Sequence, residues 1–254
     1  MTYRESYESW VNNPFFDDET TEELKLIAED EKEIEDRFYQ DLTFGTAGLR
    51  GKIGAGTNRM NRYTVSRATA GFARMIVEDG EEAKNKGVVL SYDVRNRSDE
   101  FSRITAEVFA AHGIKVYLCK EIQPTPVLSY LVRALGTYAG VMITASHNPQ
   151  EYNGYKAYGK EGSQILDDWA ARIMDNIVAI EDYSEIKMLD LEEGLSTGII
   201  EYVAEEHYEN YRQKVLDLTI HDDIDKDISI VYSPLNGTGY RWLPEILNDR
   251  GFTN

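Results

Sequence analysis

Apolar and polar positions along the chain follow two different spacings. A helical spacing of apolar residues predicts helices over residues 20–39, 63–77, 98–113, 125–136, 166–180 and 204–216. Short apolar runs of strand type lie between them, in GVVLSYD, IKVYLCK and YAGVMITAS. Strands that alternate with helices indicate an α/β fold in which a mixed, mostly parallel sheet is sandwiched by helices.

The same theme returns near the end of the sequence. DISIVYSPLNGTGYRWLPEILNDRGF predicts a strand at 228–232, a turn with glycines and a helix, after an acidic, weakly patterned connection. We therefore expect a first domain over residues 1–204, with a helical N-terminal arm, and the start of an incomplete second α/β domain over 205–254. A lone βα unit buries little surface on its own, so we expect the sequence to be part of a longer polypeptide.

Composition places the chain among soluble proteins. It has 254 residues, 42% of them hydrophobic, and no apolar run reaches the length of about 18 residues that a membrane span needs. The N-terminus lacks the apolar core of a secretory signal, and the single cysteine, Cys119, fits a reducing compartment. These features predict a cytoplasmic protein without a membrane partner.

Charge narrows the possible ligands. The net charge of −18 argues against nucleic acid and anionic membranes, which require a basic surface. Residues 41–74 are an exception, because they contain six bases and one acid, whereas residues 1–40 contain 13 acids and four bases. A basic island in an acidic chain suggests a site for a small anion. For Arg67 and Arg74 we expect only a solvated helix face.

The segment VMITASHNPQEYNGYK combines a buried strand with reactive side chains. Ser146 ends the strand, at the edge of a parallel sheet where ligands bind, and Asn148-Pro149 favours a turn. Inward-pointing amides of such a turn bind anions, and a serine there can act as a nucleophile or carry a phosphoryl group. Lys156 follows a second predicted turn, YNGY, from which it could fold back towards Ser146. We call residues 144–152 the serine loop.

From spacing alone, simpler interpretations remain open. Ser146 could cap a turn, His147 could bond to the backbone, and Lys156 could be a surface lysine. A serine hydrolase fits less well, because there is no G-x-S-x-G elbow and adjacent Ser and His side chains cannot easily reach base geometry. Asp93 and Arg95 either order the serine loop through an ion pair or belong to a surface turn.

The glycine-rich stretch FGTAGLRGKIGAG allows two interpretations. Its five glycines permit close approach to a ligand, and Arg50 and Lys52 offer positive charge, with Arg50 matched to phosphate oxygens. The stretch is not a Walker loop, because the required G-K-[ST] ending is missing. A flexible connection is the alternative.

Taken together, TASHNPQEYNGYK, FGTAGLRG and SPLNGTG resemble the α-D-phosphohexomutase family, above all its phosphoglucomutase and phosphopentomutase members. The resemblance extends from about Asp41 to Asn254. It implies that Ser146 carries the phosphoryl group, that a phosphate oxygen on it binds Mg²⁺, and that Lys156 transfers a proton. The resemblance also implies that the remaining substrate contacts are made by Thr46, Arg50, His147 and Asn148. It places Arg50 beside the transferring phosphate. It does not decide whether Arg50 or Lys156 is the acid/base residue.

The implied reaction interconverts a sugar 1-phosphate and a sugar 6-phosphate through a phosphoserine enzyme and a sugar 1,6-bisphosphate. Glucose phosphate is the first expectation for the substrate, with mannose and pentose phosphates as alternatives. A phosphosugar and the remaining domains of the same polypeptide are the expected partners. A non-catalytic phosphosugar-binding module is the competing hypothesis from another class.

This sequence departs from the family at the metal-binding motif. In the family, a D-x-D-x-D loop of the second domain holds the metal. The triad Asp223, Asp225 and Asp227 does not match it, because it precedes a predicted strand and Ile228 replaces the arginine. It also fails as an EF-hand, with Ile228 in place of glycine and Pro234 in place of glutamate. The resemblance therefore implies little or no mutase turnover by this chain alone.

Overall fold

The described residues, 1–46 and 48–254 of a computed structural model, form one six-stranded sheet. The strand order is β1-β5-β4-β2-β3-β6. Neighbours from β4 through β2 and β3 to β6 are parallel, whereas β5 is antiparallel to both β4 and β1. The predicted mixed α/β sheet is confirmed. The strands are β1 Leu49–Lys52, β2 Val88–Tyr92, β3 Val116–Leu118, β4 Ala139–Ile143, β5 Tyr152–Gly159 and β6 Ile200–Tyr202.

Helices cover both faces of this sheet. They are α1 Tyr3–Asn12, α2 Asp18–Leu26, α3 Glu31–Phe38, α4 Arg62–Glu78, α5 Glu81–Lys86, α6 Ser98–Ala111, α7 Thr125–Ala134, α8 Asp167–Val178, α9 Leu191–Thr197, α10 Glu205–Leu216 and α11 Trp242–Asp249. The prediction of one helix over residues 20–39 was wrong, because this segment forms two helices, α2 and α3. The Asp30 carboxylate accepts a hydrogen bond from the Glu33 amide and so starts a new helix inside the apolar pattern.

Successive residues of the central strands pack into different layers. Val88 and Leu90 of β2 pack with α4, α6 and α8, whereas Val89 packs on the opposite face with α7, α10 and α11. This arrangement explains the unbroken apolar runs in the sequence, because strands buried on both faces do not alternate with polar residues.

Three strands, β1, β5 and β6, were not predicted, and the first two lie beside the serine loop. β5 begins in YNGY, which we had expected to be a turn, and β1 lies in the glycine-rich stretch. A Cβ at Gly154 would lie 2.6 Å from the Thr144 carbonyl oxygen. Glycine is therefore present because two backbones approach closely, and not because the chain turns.

The predicted strand over 228–232 is not formed in the described structure. The Ile230 amide donates to the Asn254 carbonyl over 2.9 Å, and Ile228 and Val231 remain exposed. A β-strand requires a backbone partner, and no strand of the described sheet pairs with this segment. The predicted helix after it does form as α11, where Trp242 packs on Tyr211.

The connection over 181–227 is more ordered than its composition indicated. It contains α9, α10 and β6, which extends the sheet beside β3. No helix among the described residues is both long enough and apolar enough to cross a membrane. The division into domains at residue 204 stays a prediction.

Candidate active site

Ser146 lies where the chain leaves β4, at the carboxyl end of the parallel strands. Its backbone has φ +57°, a left-handed conformation that is uncommon for a residue with a side chain. The Ser146 amide donates to the Thr144 hydroxyl over 2.9 Å, and the Asn148 amide donates to the Ala145 carbonyl over 3.1 Å. The side chain of Ser146 is exposed at the mouth of a cleft.

Strand pairing brings Arg50 to the same place. Arg50 on β1 is the register partner of Gly154 on β5, and directly opposed residues share a face of the sheet. Because Gly154 has no side chain, the guanidinium can extend across it, and Arg50 Nη1 donates to Asn148 Oδ1 over 2.8 Å. This hydrogen bond joins Arg50 to the serine loop.

Lys156 reaches the site from a strand and not from a turn. It lies two residues beyond Gly154 on β5, opposite Met142, and therefore on the same face as Arg50. Burial and the nearby Arg50 guanidinium lower the pKa of the Lys156 amine, while Asp93 opposes this effect. A lowered amine pKa provides more free base for proton transfer near neutral pH.

Thr46 lies on the turn that leads into β1. Gly45 and Gly48 close this turn through two backbone hydrogen bonds of 2.8 Å each. A Cβ at Gly48, which has φ +89°, would lie 1.8 Å from the Tyr155 carbonyl oxygen. The turn is thus pressed against β5 beside Lys156, and Thr46 itself is exposed.

His147 comes closer to Ser146 than the sequence indicated. Ser146 Oγ and His147 Nδ1 are 3.4 Å apart. This distance is longer than the range of about 2.6–3.2 Å for a general base, and no described carboxylate orients the imidazole. The arrangement gives no support to a serine hydrolase.

A carboxylate supports the serine loop from the neighbouring strand. Asp93 follows β2, and its Oδ2 accepts a hydrogen bond of 2.6 Å from the Thr144 hydroxyl. Its Oδ1 accepts from the Ser98 hydroxyl over 2.8 Å and from the Arg95 amide over 3.0 Å. Asp93 and Arg95 are thus packed against the loop and do not belong to a free surface turn.

The cleft above Ser146 has a volume of about 600 Å³. The serine loop, the segment from Asp93 to Asn96 and the turn from Asn236 to Thr238 line it. The sequence motif SPLNGTG contributed only to the family resemblance and did not predict that this turn lies at the site. The φ of +60° at Asn236 belongs to a tight turn, which the Asn-Gly pair could have indicated.

Three of the six bases of the basic island are paired with carboxylates of the chain. Arg59 is 4% exposed and pairs with Asp36, and Arg62 pairs with Asp17. Arg67, which we had expected to be solvated, is largely buried, pairs with Asp41 over 2.6 Å and donates to the Ile177 carbonyl. Arg50 of the island contacts the serine loop through Asn148.

Comparison with known proteins agrees with this geometry. The family described as phosphoglucomutase/phosphomannomutase, alpha/beta/alpha domain I, matches residues 41–184, more than half of the chain. The chain belongs to this family.

Relatives of this phosphoglucomutase/phosphomannomutase domain cover most of the chain. A phosphoglucomutase of Staphylococcus haemolyticus is 39% identical over 220 residues, which make up 87% of this chain and 39% of that protein. A phosphoglucomutase of Staphylococcus aureus is 37% identical over 232 residues, or 90% of this chain and 41% of that protein. The chain thus spans about two fifths of the length of these curated relatives.

Solved structures share the fold. A Thermus thermophilus protein, provisionally described as a phosphomannomutase, is 27% identical with a TM-score of 0.66, over 84% of this chain and 44% of that chain. The open form of a Paramecium phosphoglucomutase, parafusin, has a TM-score of 0.63 over 85% of this chain and 43% of that chain. At 19% identity, the second likeness shows the fold alone.

The described residues do not by themselves form a site for Mg²⁺. This ion prefers carboxylate and phosphate oxygens in octahedral geometry, and the groups around Ser146 are mainly cationic or amide side chains. Within residues 1–46 and 48–254, no cluster of three acidic, histidine or cysteine side chains is suited to hold a metal. Asp223, Asp225 and Asp227 form no such cluster among the described residues.

Proposed function

We propose that the chain is the phosphoserine-bearing part of a phosphosugar mutase and that Ser146 carries the phosphoryl group. The observation that supports this most strongly is the placement of Arg50 and Lys156 on one face of two paired strands, with Arg50 hydrogen-bonded to Asn148 of the serine loop. Two cations on the sheet face next to the serine loop would provide the charge neutralisation that phosphoryl transfer requires.

In the proposed reaction, the bond between phosphorus and Ser146 Oγ breaks while a bond to a sugar 1-phosphate hydroxyl forms. The bisphosphate turns over in the cleft, and its other phosphate returns to Ser146, which leaves a sugar 6-phosphate. The attacking hydroxyl gives up its proton as the new bond forms.

Lys156 is the better candidate to accept that proton. Its amine pKa is lowered, whereas a guanidinium does not release its proton in proteins. We therefore assign proton transfer to Lys156 and charge stabilisation to Arg50. Thr46, His147 and Asn148 complete the proposed contacts to the substrate phosphate.

A sugar 1,6-bisphosphate and Mg²⁺ are the proposed cofactors, and glucose phosphate is the first substrate to test. Phosphate oxygens on Ser146 would be the only ligands for the ion that this site offers, and bound Mg²⁺ would neutralise phosphate charge. Mannose and pentose phosphates are the alternatives. We expect little or no mutase turnover by the chain alone, because the described residues hold no cluster of three side chains suited to a metal.

The test is phosphorylation of Ser146. We expect the purified chain, incubated with glucose 1,6-bisphosphate and Mg²⁺, to gain the mass of one phosphoryl group, mapped by peptide sequencing to Ser146. Ser146→Ala should abolish the gain, because it removes the acceptor oxygen. Ser163→Ala, at an exposed serine after β5, is the matched control and should retain it.

If the wild-type chain binds the bisphosphate but never becomes phosphorylated, the carrier role is wrong. The non-catalytic binding module would then be favoured. Binding without transfer would depend on Arg50 and on the serine loop.

A further inference from the structure

We propose that Arg95 is a positioning residue that holds the serine loop in its reactive conformation; its role in phosphoryl transfer rests on the proposed function. One guanidinium contacts four backbone carbonyls of this loop. Nη1 donates to Pro149 O over 2.8 Å and to Tyr152 O over 2.9 Å. Nη2 donates to Ser146 O over 2.8 Å and to Asn148 O over 2.5 Å.

All donors of Arg95 are engaged within the protein. A guanidinium has five N–H groups, and four of them are directed to the loop carbonyls. The fifth, on Nε, faces Asp93 Oδ2 at 3.5 Å, and both side chains are nearly buried, with 12% and 11% exposed. No donor remains for a phosphate, so Arg95 acts through the loop and not on the substrate.

Asp93 acts on the backbone amide of Ser146, whereas Arg95 acts on its carbonyl. Its Oδ2 accepts from the Thr144 hydroxyl, and that hydroxyl in turn accepts from the Ser146 amide. The N–H of Ser146 is therefore held through Thr144, and its carbonyl is held by Arg95. Fixing both backbone groups maintains the left-handed φ, a conformation that is unfavourable for a residue with a side chain unless the surroundings enforce it.

The geometry requires arginine at this position. The planar fork of arginine can serve separated acceptors at the same time, whereas the lysine ammonium is a single point with three donors. We expect Arg95→Lys to retain the charge opposite Asp93 but to lose most of the loop contacts. The Ser146 hydroxyl would then sample other directions, and a displacement of about 1 Å can slow a positioned reaction on the order of 100-fold.

The experiment follows the phosphorylation of Ser146 by glucose 1,6-bisphosphate over time. The time course gives the rate constant and the final extent of phosphorylation as two separate quantities. For Arg95→Lys we expect a rate constant lower on the order of 100-fold with an unchanged final extent. Hydrogen exchange should increase in the serine loop and not elsewhere. Arg172→Lys is the matched control, because Arg172 pairs with Asp79 and Glu78 away from the cleft, and it should match wild type.

A second pair of variants tests the other arm without disturbing Arg95. Thr144→Val removes the hydroxyl between Asp93 and the Ser146 amide and should slow transfer in the same way. Thr144→Ser retains the hydroxyl and should restore the rate, which a purely packing role would not explain. This pair also decides the question if Arg95→Lys does not fold.

The outcomes separate this inference from the proposed function. Rates and loop exchange equal to wild type in Arg95→Lys and Thr144→Val would overturn the positioning role. A reduced extent with an unchanged rate constant would also overturn it, because that pattern indicates unfolded molecules. If wild type itself is never phosphorylated, the proposed function fails, and loop exchange still decides whether Arg95 holds the loop.

Discussion

At the scale of single residues, surroundings change what a common side chain can do. Lys156 is partly buried on β5 with Arg50 on the same face of the sheet, and both features lower its amine pKa. Lys25 is the opposite case, because the Glu22 carboxylate bonds to its ammonium and raises its pKa. The two amines should therefore titrate in different pH ranges.

We expect competitive amine labelling across a pH series to give Lys156 a lower midpoint than Lys25. Arg50→Gln should raise the Lys156 midpoint, because it removes a positive neighbour, and Asp93→Asn should lower it further. Arg172→Gln is the remote control and should leave it unchanged. A Lys156 midpoint at or above that of Lys25 would contradict the proton-transfer assignment.

The lowered pKa also has a consequence for stability. Between the folded and unfolded pKa values of Lys156, the unfolded chain binds more protons than the folded chain. Its contribution to the free energy of unfolding therefore increases as the pH rises through that window. Replacing Lys156 by methionine should remove this increment in pH-dependent denaturation.

At the scale of elements, glycines decide how closely strands can approach. β5 contains Gly154, where a Cβ would meet the Thr144 carbonyl oxygen at 2.6 Å, and Gly159, where no described atom lies within 4 Å. Neither has a positive φ, so the two positions differ in available space and not in backbone conformation. They form a matched pair on one strand.

We expect Gly154→Ala to lower the free energy of unfolding by about 1–3 kcal/mol, because the methyl group overpacks the start of the serine loop. Gly159→Ala should be neutral or stabilising by up to about 1 kcal/mol, since alanine loses less conformational freedom than glycine. Urea denaturation measures both. Equal effects would mean that the close approach at Gly154 does not limit the fold.

Strand β5 also shows which parts of the fold could be predicted from the sequence and which could not. Periodicity predicted α4, α6 and α7 well, because their apolar residues face one core. It missed β5, because apolar and polar residues do not alternate clearly in YNGYKAYG. The glycine at 154 is explained by its close approach to Thr144, ten residues earlier, which a local pattern does not show. The sequence pattern singled out Ser146, Arg50 and Lys156 as candidates, and the family resemblance assigned their roles. The four carbonyls around Arg95 could not be predicted, since carbonyl directions depend on the folded loop.

At the scale of the whole molecule, the C-terminal region is joined to the sheet edge. The Trp242 indole on α11 donates to Gln123 Oε1 over 2.9 Å, and both residues are buried. Gln123 lies on the loop before α7, at the carboxyl end of the strands. This bond connects residues 119 positions apart, and no local pattern could have indicated it.

We expect Trp242→Phe to lower the free energy of unfolding by about 1–3 kcal/mol, because the buried Gln123 oxygen loses its donor. Trp169→Phe is the matched control, since the indole N–H of Trp169 donates to no described residue, and it should cost less than about 1 kcal/mol. Thermal or urea denaturation compares them. Equal losses would show that ring size, and not the hydrogen bond, accounts for the effect.

The pairing of β1 with β5 also determines when the site can form. β4 and β5 are close in sequence and can pair early, whereas Arg50 must wait for Gly154, which is synthesised long after it. During translation, the first strand of the site therefore remains without its partner until most of the domain has emerged. We expect helices and the central sheet to be formed before the contact between Arg50 and Asn148, so that competence to receive a phosphoryl group is among the last properties the nascent chain acquires.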